Sequence, residues 1–139
     1  MTYLYVLTLF VLLPGCATTP APSAAVAAPG QRSPGGRHAL AVRGGAVLID
    51  GRRVHGAAAT MVAGPTWRDD DDAVAWVERG GGGAMQIVVL PRLSMGAQPL
   101  EWPLPRLEAD DRVHWASHTR VVVGPELLTP RASVSWTEE

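Results

Sequence analysis

Downstream of its first few dozen residues, the chain sets apolar and polar or small residues in short alternating runs, each closed by Gly, Pro or Asp. Period-two runs of roughly 4–8 residues read as half-buried β-strands, and no window carries the longer period of an amphipathic helix. ALAVRGGAVLID (39–50) predicts a strand, a tight turn at Gly44-Gly45 and a returning strand, because tight hairpin turns need the positive φ that glycine tolerates. AVAWVERGGGGAMQIVVL (73–90) predicts a second hairpin with a longer glycine tip. RVHWASHTRVVVG (112–124) predicts a third with a short polar turn. The expected fold is therefore all-β: a small antiparallel domain of about three hairpins over residues 37–139.

The N-terminal segment has a different pattern. Tyr3 to Leu13 is an apolar run of eleven residues broken only by Thr8 and two tyrosine hydroxyls. A bilayer-spanning helix takes about 20 apolar residues, so the run fits the apolar core of an export signal. It ends in LPGC, which places the chain's one cysteine, Cys16, at the junction with the segment ATTPAPSAAVAAPGQRSPGG (17–36). That segment is Ala, Pro, Ser, Thr and Gly with one Val, one Gln and one Arg. Its prolines at 20, 22, 29 and 34 favour extended conformations and predict a semi-flexible tether over 16–36.

Leu13-Pro14-Gly15-Cys16 resembles the lipobox of bacterial lipoproteins: an apolar residue, a variable one, a small one, then the modified cysteine. Pro14, and the lack of any Lys or Arg before the apolar run, depart from that pattern. An upstream start codon would account for the second departure. The resemblance implies that residues 1–15 are removed and that Cys16 becomes a lipidated N-terminus. Each buried methylene contributes about 0.8 kcal/mol, so two or three acyl chains hold a protein stably on a membrane. Ala17, where an Asp would signal inner-membrane retention, implies an outer-membrane address.

The hairpins echo one another. DDAVAW (71–76) and DDRVHW (110–115) lie 39 residues apart, and MQIVVLP (85–91) recurs as TRVVVGP (119–125). Trp76 and Trp115 hold equivalent positions, as expected of core fillers in a repeated unit. The unit 64–93, in which Trp67 opens a turn filled by Asp69 to Asp72, resembles the propeller repeat of TolB-type proteins, a WD40-like blade. A closed propeller needs at least about four blades of roughly 40 residues. This chain has room for fewer, so blade-like repeats without closure are expected. Their exposed strand edges offer a route to oligomers.

Composition narrows the function classes. All twelve basic residues are Arg, set against thirteen acidic ones for a formal charge of -1. That is no electrostatic footprint for nucleic acid. A single cysteine forms no internal disulfide. Nucleophile elbows, phosphate loops and dinucleotide fingerprints are missing, so no catalytic residues and no cofactor are expected. Asp69 to Asp72 lack the alternating spacing of a calcium loop and read as a solvated turn. His114 and His118, four apart, would suit zinc on a helix but fall on a strand, and His38 and His55 are unpatterned. No metal site is expected. Trp102, read as lying in the Pro-flanked loop EWPLPRL, is the candidate contact for an envelope protein or polysaccharide, as a stacking face.

The expectation is a lipid-anchored envelope protein with a small β-rich binding or structural domain. Its alternatives are a cation-binding module or metal-dependent enzyme using the Asp run or the His pair, and a degenerate fragment of a longer propeller.

Overall fold

The computed structural model describes residues 31–56, 59–96 and 98–138. The export run, Cys16 and the tether up to residue 30 lie outside these. The described chain is all-β, with eleven strands and one single-turn 3-10 helix at Leu93–Met95. The strands form three small antiparallel sheets, none closed into a barrel or propeller. The first sheet runs β1 (Gln31–Arg32), β2 (Ala39–Arg43), β3 (Ala46–Ile49), β4 (Arg52–Gly56). The second runs β5 (Thr60–Trp67), β6 (Val74–Arg79), β7 (Met85–Leu90), β8 (Leu100–Leu104). The third is β9 (Arg112–Ser117), β10 (Arg120–Gly124) and β11 (Ala132–Ser135), with β10 in the middle.

Each expected hairpin forms the heart of one sheet. Gly44 and Gly45 take φ of 56° and 80°, so β2 and β3 join through the left-handed turn that only glycine adopts without strain. β6 and β7 pair in unbroken register from Val74↔Leu90 to Arg79↔Met85. β9 and β10 pair with one irregularity at Arg120/Val121.

The sheets stack face to face, and side-chain alternation decides what each face buries. Val74, Trp76, Val88 and Leu90 on β6 and β7 face the first sheet, where they meet Leu40, Val47 and Ile49. Ala75, Val77, Ile87 and Val89 point the other way, onto Val113, Val121 and Val123 of the third sheet. The second sheet is therefore buried on both sides, which is why MQIVVL reads as a continuous apolar run. Gly64 of β5 has a φ of 84°, and a Cβ there would lie 3.0 Å from the Ala75 carbonyl oxygen and 3.2 Å from Trp76 Cα. Glycine thus lets β5 approach β6 closely.

The two outermost faces differ from the buried ones. Ala39, Ala41 and Arg43 stand on the outer face of the first sheet, at the strand positions that Val74, Trp76 and Glu78 hold in the second. The third sheet's outer face carries Arg112, His114, Arg120, Ser133 and Ser135 around Val122. Apart from Leu48 and Val122, the residues on these two end faces are small or polar, which suits terminal units of a repeat array.

Three expectations need correction. The tether does not extend to Gly36, because Gln31–Arg32 form β1 and Ser33 to Gly36 form an ordered turn with Ser33 buried. In that turn Ser33 N–H donates to the His38 carbonyl at 2.9 Å and Gly36 N–H to that of Ser33 at 2.9 Å. Arg68 and Asp71 close the same two bonds to Ala73 and Arg68, at 2.9 and 3.1 Å. Thus Ser-Pro-Gly-Gly opens the first sheet as Arg68 to Asp71 opens the second, and its composition is turn chemistry. Trp102 lies in the edge strand β8, where Pro103 is tolerated because the outward side of an edge strand has no ladder partner for an N–H to serve. Finally, the acid turn is only partly solvated, since Asp71 is buried.

Candidate functional site

The acid run holds neighbouring turns together. Asp71 Oδ1 accepts the Gly35 N–H at 2.8 Å, tying the second sheet's turn to the first's. Asp70 accepts from Arg68 Nε at 2.8 Å and from Asp72 N–H at 3.1 Å. Asp72 takes the Ser94 N–H at 2.7 Å and its hydroxyl at 3.1 Å. Arg68, itself buried, donates onward to the His118 carbonyl at 2.6 Å and lies over the Trp115 ring, 5.5 Å from its centroid. Asp70, Asp71 and Asp72 therefore each accept hydrogen bonds from neighbouring N–H or O–H groups. Asp69 alone of the four has no such contact among those described.

These contacts set a pH dependence. His38 beside Asp50, Arg68 beside Asp70, the Gly35 N–H on Asp71 and Arg131 beside Asp111 each hold a carboxyl below the ordinary aspartate value. A carboxyl whose folded pKa is depressed stabilises the fold above its unfolded pKa, about 3.9, and loses that contribution as pH falls through the folded value. The melting temperature is expected to be insensitive to these four groups from about pH 5 upward and to fall steadily below about pH 4. Thermal melts followed by circular dichroism between pH 2 and 7 check this. A melting temperature that rises toward pH 3 would contradict it.

The histidine pair is not brought together. His114 stands on the outer face of β9 with Nε2 3.2 Å from the Gly124 carbonyl oxygen. His118 sits in the β9–β10 turn, mostly exposed, with Nε2 3.3 Å from Glu138 and Nδ1 3.9 Å from Asp70. His38 stacks on Trp67, ring centroids 6.2 Å apart, and reaches Asp50 at 2.7 Å. Trp102 is half-buried beside Trp136, 6.0 Å between centroids, and Trp136 in turn meets Trp115 edge-on at 5.7 Å. The three indoles fill the outer part of the space between the second and third sheets, leaving Trp102 partly open to solvent.

A different cluster forms between the first and second sheets. On β6, Glu78 continues the face begun by Val74 and Trp76, so alternation points it toward the first sheet. On β8, Glu101 lies opposite Val88 and shares that face. On β4, His55 pairs with Val47, a core residue facing back. The three side chains converge: His55 Nε2 is 2.6 Å from Glu78 Oε1, and His55 Nδ1 is 3.6 Å from Glu101 Oε1. One donor atom from each residue lies within 4.8 Å of the other two.

Burial is graded across the cluster. The side chains of Glu78, His55 and Glu101 are 4%, 10% and 45% exposed, so the site runs from the apolar core to open solvent. Trp76 and the imidazole meet in a T-shaped contact, 5.7 Å between centroids at 63°, which orients the ring. Despite their short separation, His55 Nε2 and Glu78 Oε1 form no directed hydrogen bond, because the oxygen lies off the line of the ring N–H. Burying a carboxylate without such compensation is costly.

The sequence reading missed this cluster because His55, Glu78 and Glu101 sit on three strands of two sheets. One signal was present: Glu78 interrupts the apolar face of a strand otherwise buried on both sides. Among the described residues no helix is long and apolar enough to cross a membrane. The sequence matches no protein-family model, and comparisons with curated proteins and with solved structures find no match.

Proposed function

We propose that the chain is a bacterial envelope lipoprotein, anchored through lipid on Cys16, whose blade-like β-domain acts by binding rather than by catalysis. The observation that carries this reading is the placement of the single cysteine. Leu13-Pro14-Gly15-Cys16 closes an apolar run too short to span a bilayer and opens an Ala/Pro-rich segment that leads into β1. By the same resemblance, Ala17 favours the outer membrane. A partner protein or polysaccharide of the envelope is the expected ligand, with Trp102 as one contact.

The edges of the sheets bear on how a partner would dock. Pro103 lies in the edge strand β8 and Arg52 and Arg53 in the edge strand β4, two devices that discourage strand addition. Small and polar outer faces favour a domain that folds on its own over a fragment of a longer propeller. The expected result for Cys16→Ser is loss of membrane association: wild-type protein sediments with the membrane fraction and resists high salt, whereas the variant is recovered without it. Cys16→Ser protein that stays on the membrane to the same extent would overturn the anchor.

A further inference from the structure

We propose that His55, Glu78 and Glu101 form a binding site for a divalent transition-metal cation of the zinc class, with its remaining coordination position open to solvent beside Glu101. The inference is independent of the lipid anchor. It rests on donor chemistry, geometry and burial together.

One imidazole nitrogen and two carboxylate oxygens are a donor set that zinc accepts, at about 2.0–2.2 Å from the metal. Calcium and magnesium prefer all-oxygen sets of six or more ligands, which this cluster does not supply. Tetrahedral zinc would hold its ligand atoms about 3.3–3.5 Å apart. The three donor atoms here lie within 4.8 Å of one another. Glu78 Oε1, 2.6 Å from Nε2, has to draw back by under about an ångström to reach that spacing, and Glu101, which stands beside Nδ1, has to turn toward the Nε2 side to share the ion. With a neutral imidazole, two carboxylates carry the charge that a divalent cation cancels.

Burial supplies the independent reason. Glu78 is almost fully enclosed, and neither its Oε1 nor His55 Nε2 has a directed hydrogen bond. An imidazolium and a carboxylate that met only as an ion pair would lower their energy by aligning N–H and oxygen. Here the oxygen sits beside that line, an arrangement in which a shared cation satisfies both atoms. The apolar wall of Trp76 on the inner side and the exposed Glu101 on the outer side give the site one protected flank and one route of access.

The test is zinc titration of the full chain in detergent, carrying Cys16→Ser so that no thiol supplies a ligand. Calorimetry is expected to find one zinc per chain, and saturating zinc to raise the melting temperature by at least about 5 °C. Cobalt in the same site is expected to show visible ligand-field bands. Glu78→Gln and His55→Gln should abolish binding. Glu101→Gln, on the exposed side, should weaken it at least about tenfold while leaving the metal-free melting temperature unchanged, so the test survives even if the buried variants fail to fold. His114→Gln and His118→Gln should bind zinc like the parent. Absence of stoichiometric binding, affinity unchanged by Glu101→Gln, or binding lost in the His114 or His118 variants would overturn the site.

Discussion

Trp76→Ala is expected to cost about 3–5 kcal/mol, the range for deleting a fully enclosed indole. Trp76 has no exposed surface, sits in the middle of β6 and fills the space between the first and second sheets against Leu40, Val47, Ile49 and Val88. Its ring also props His55. A domain of about a hundred residues has roughly 5–15 kcal/mol of stability, so the variant forfeits a large share and its melting temperature should drop on the order of 20 °C. The loss should be uneven. Amide exchange in β2 and β3 is expected to accelerate more than in β9 and β10, because the first sheet docks through this side chain. Denaturant unfolding with exchange mass spectrometry checks both parts. A cost below about 1 kcal/mol would mean that the first sheet does not pack as described.

Ile87→Ala is the mirror experiment. Ile87 lies on β7 with its side chain pointing to the third sheet, where it is enclosed with Val77, Val113, Val121 and Val123. Removing its buried methyl and methylene groups should cost about 2–5 kcal/mol. Here exchange should accelerate first in β9 to β11, with β2 and β3 comparatively protected. Such opposite footprints follow from a central sheet with two separate cores, in which each outer sheet contacts only its neighbour. Identical footprints for the two variants would argue for one undivided core.

The hairpins were legible because local chemistry suffices for them. Gly44-Gly45 specifies a turn without reference to the rest of the molecule, and alternation in AVLID or AVAW fixes which side chains share a face. What could not be read is what each face meets. β5 and β8 carry Pro65 and Pro103, which locally argue against strands, and they form only because the sheet edge tolerates them. Ser33 to Gly36 have the composition of a spacer, and become a turn because Asp71, 36 residues on from Gly35, supplies an acceptor.

The same limit applies to the sites. The Asp run was recognisable as a turn, but the burial of Asp71 depends on the neighbouring sheet. His55, Glu78 and Glu101 are each ordinary residues in their strands. Only the stacking of two sheets gives them a common space, and periodicity along one strand carries no record of its partner. His114 and His118, close in sequence, are separated by the geometry of a strand and its turn, where their spacing does not aim them at one ion.

Metabolic labelling with a clickable fatty acid tests most directly the proposal that Cys16 anchors this small β-domain to a membrane. Cells producing the wild-type chain should yield a labelled band at the size of the mature protein, whose mass corresponds to a chain beginning at Cys16 plus acyl groups. The Cys16→Ser chain should show none. Equal labelling of the two chains, or an unlabelled wild-type protein cleaved downstream of Cys16, would contradict the account.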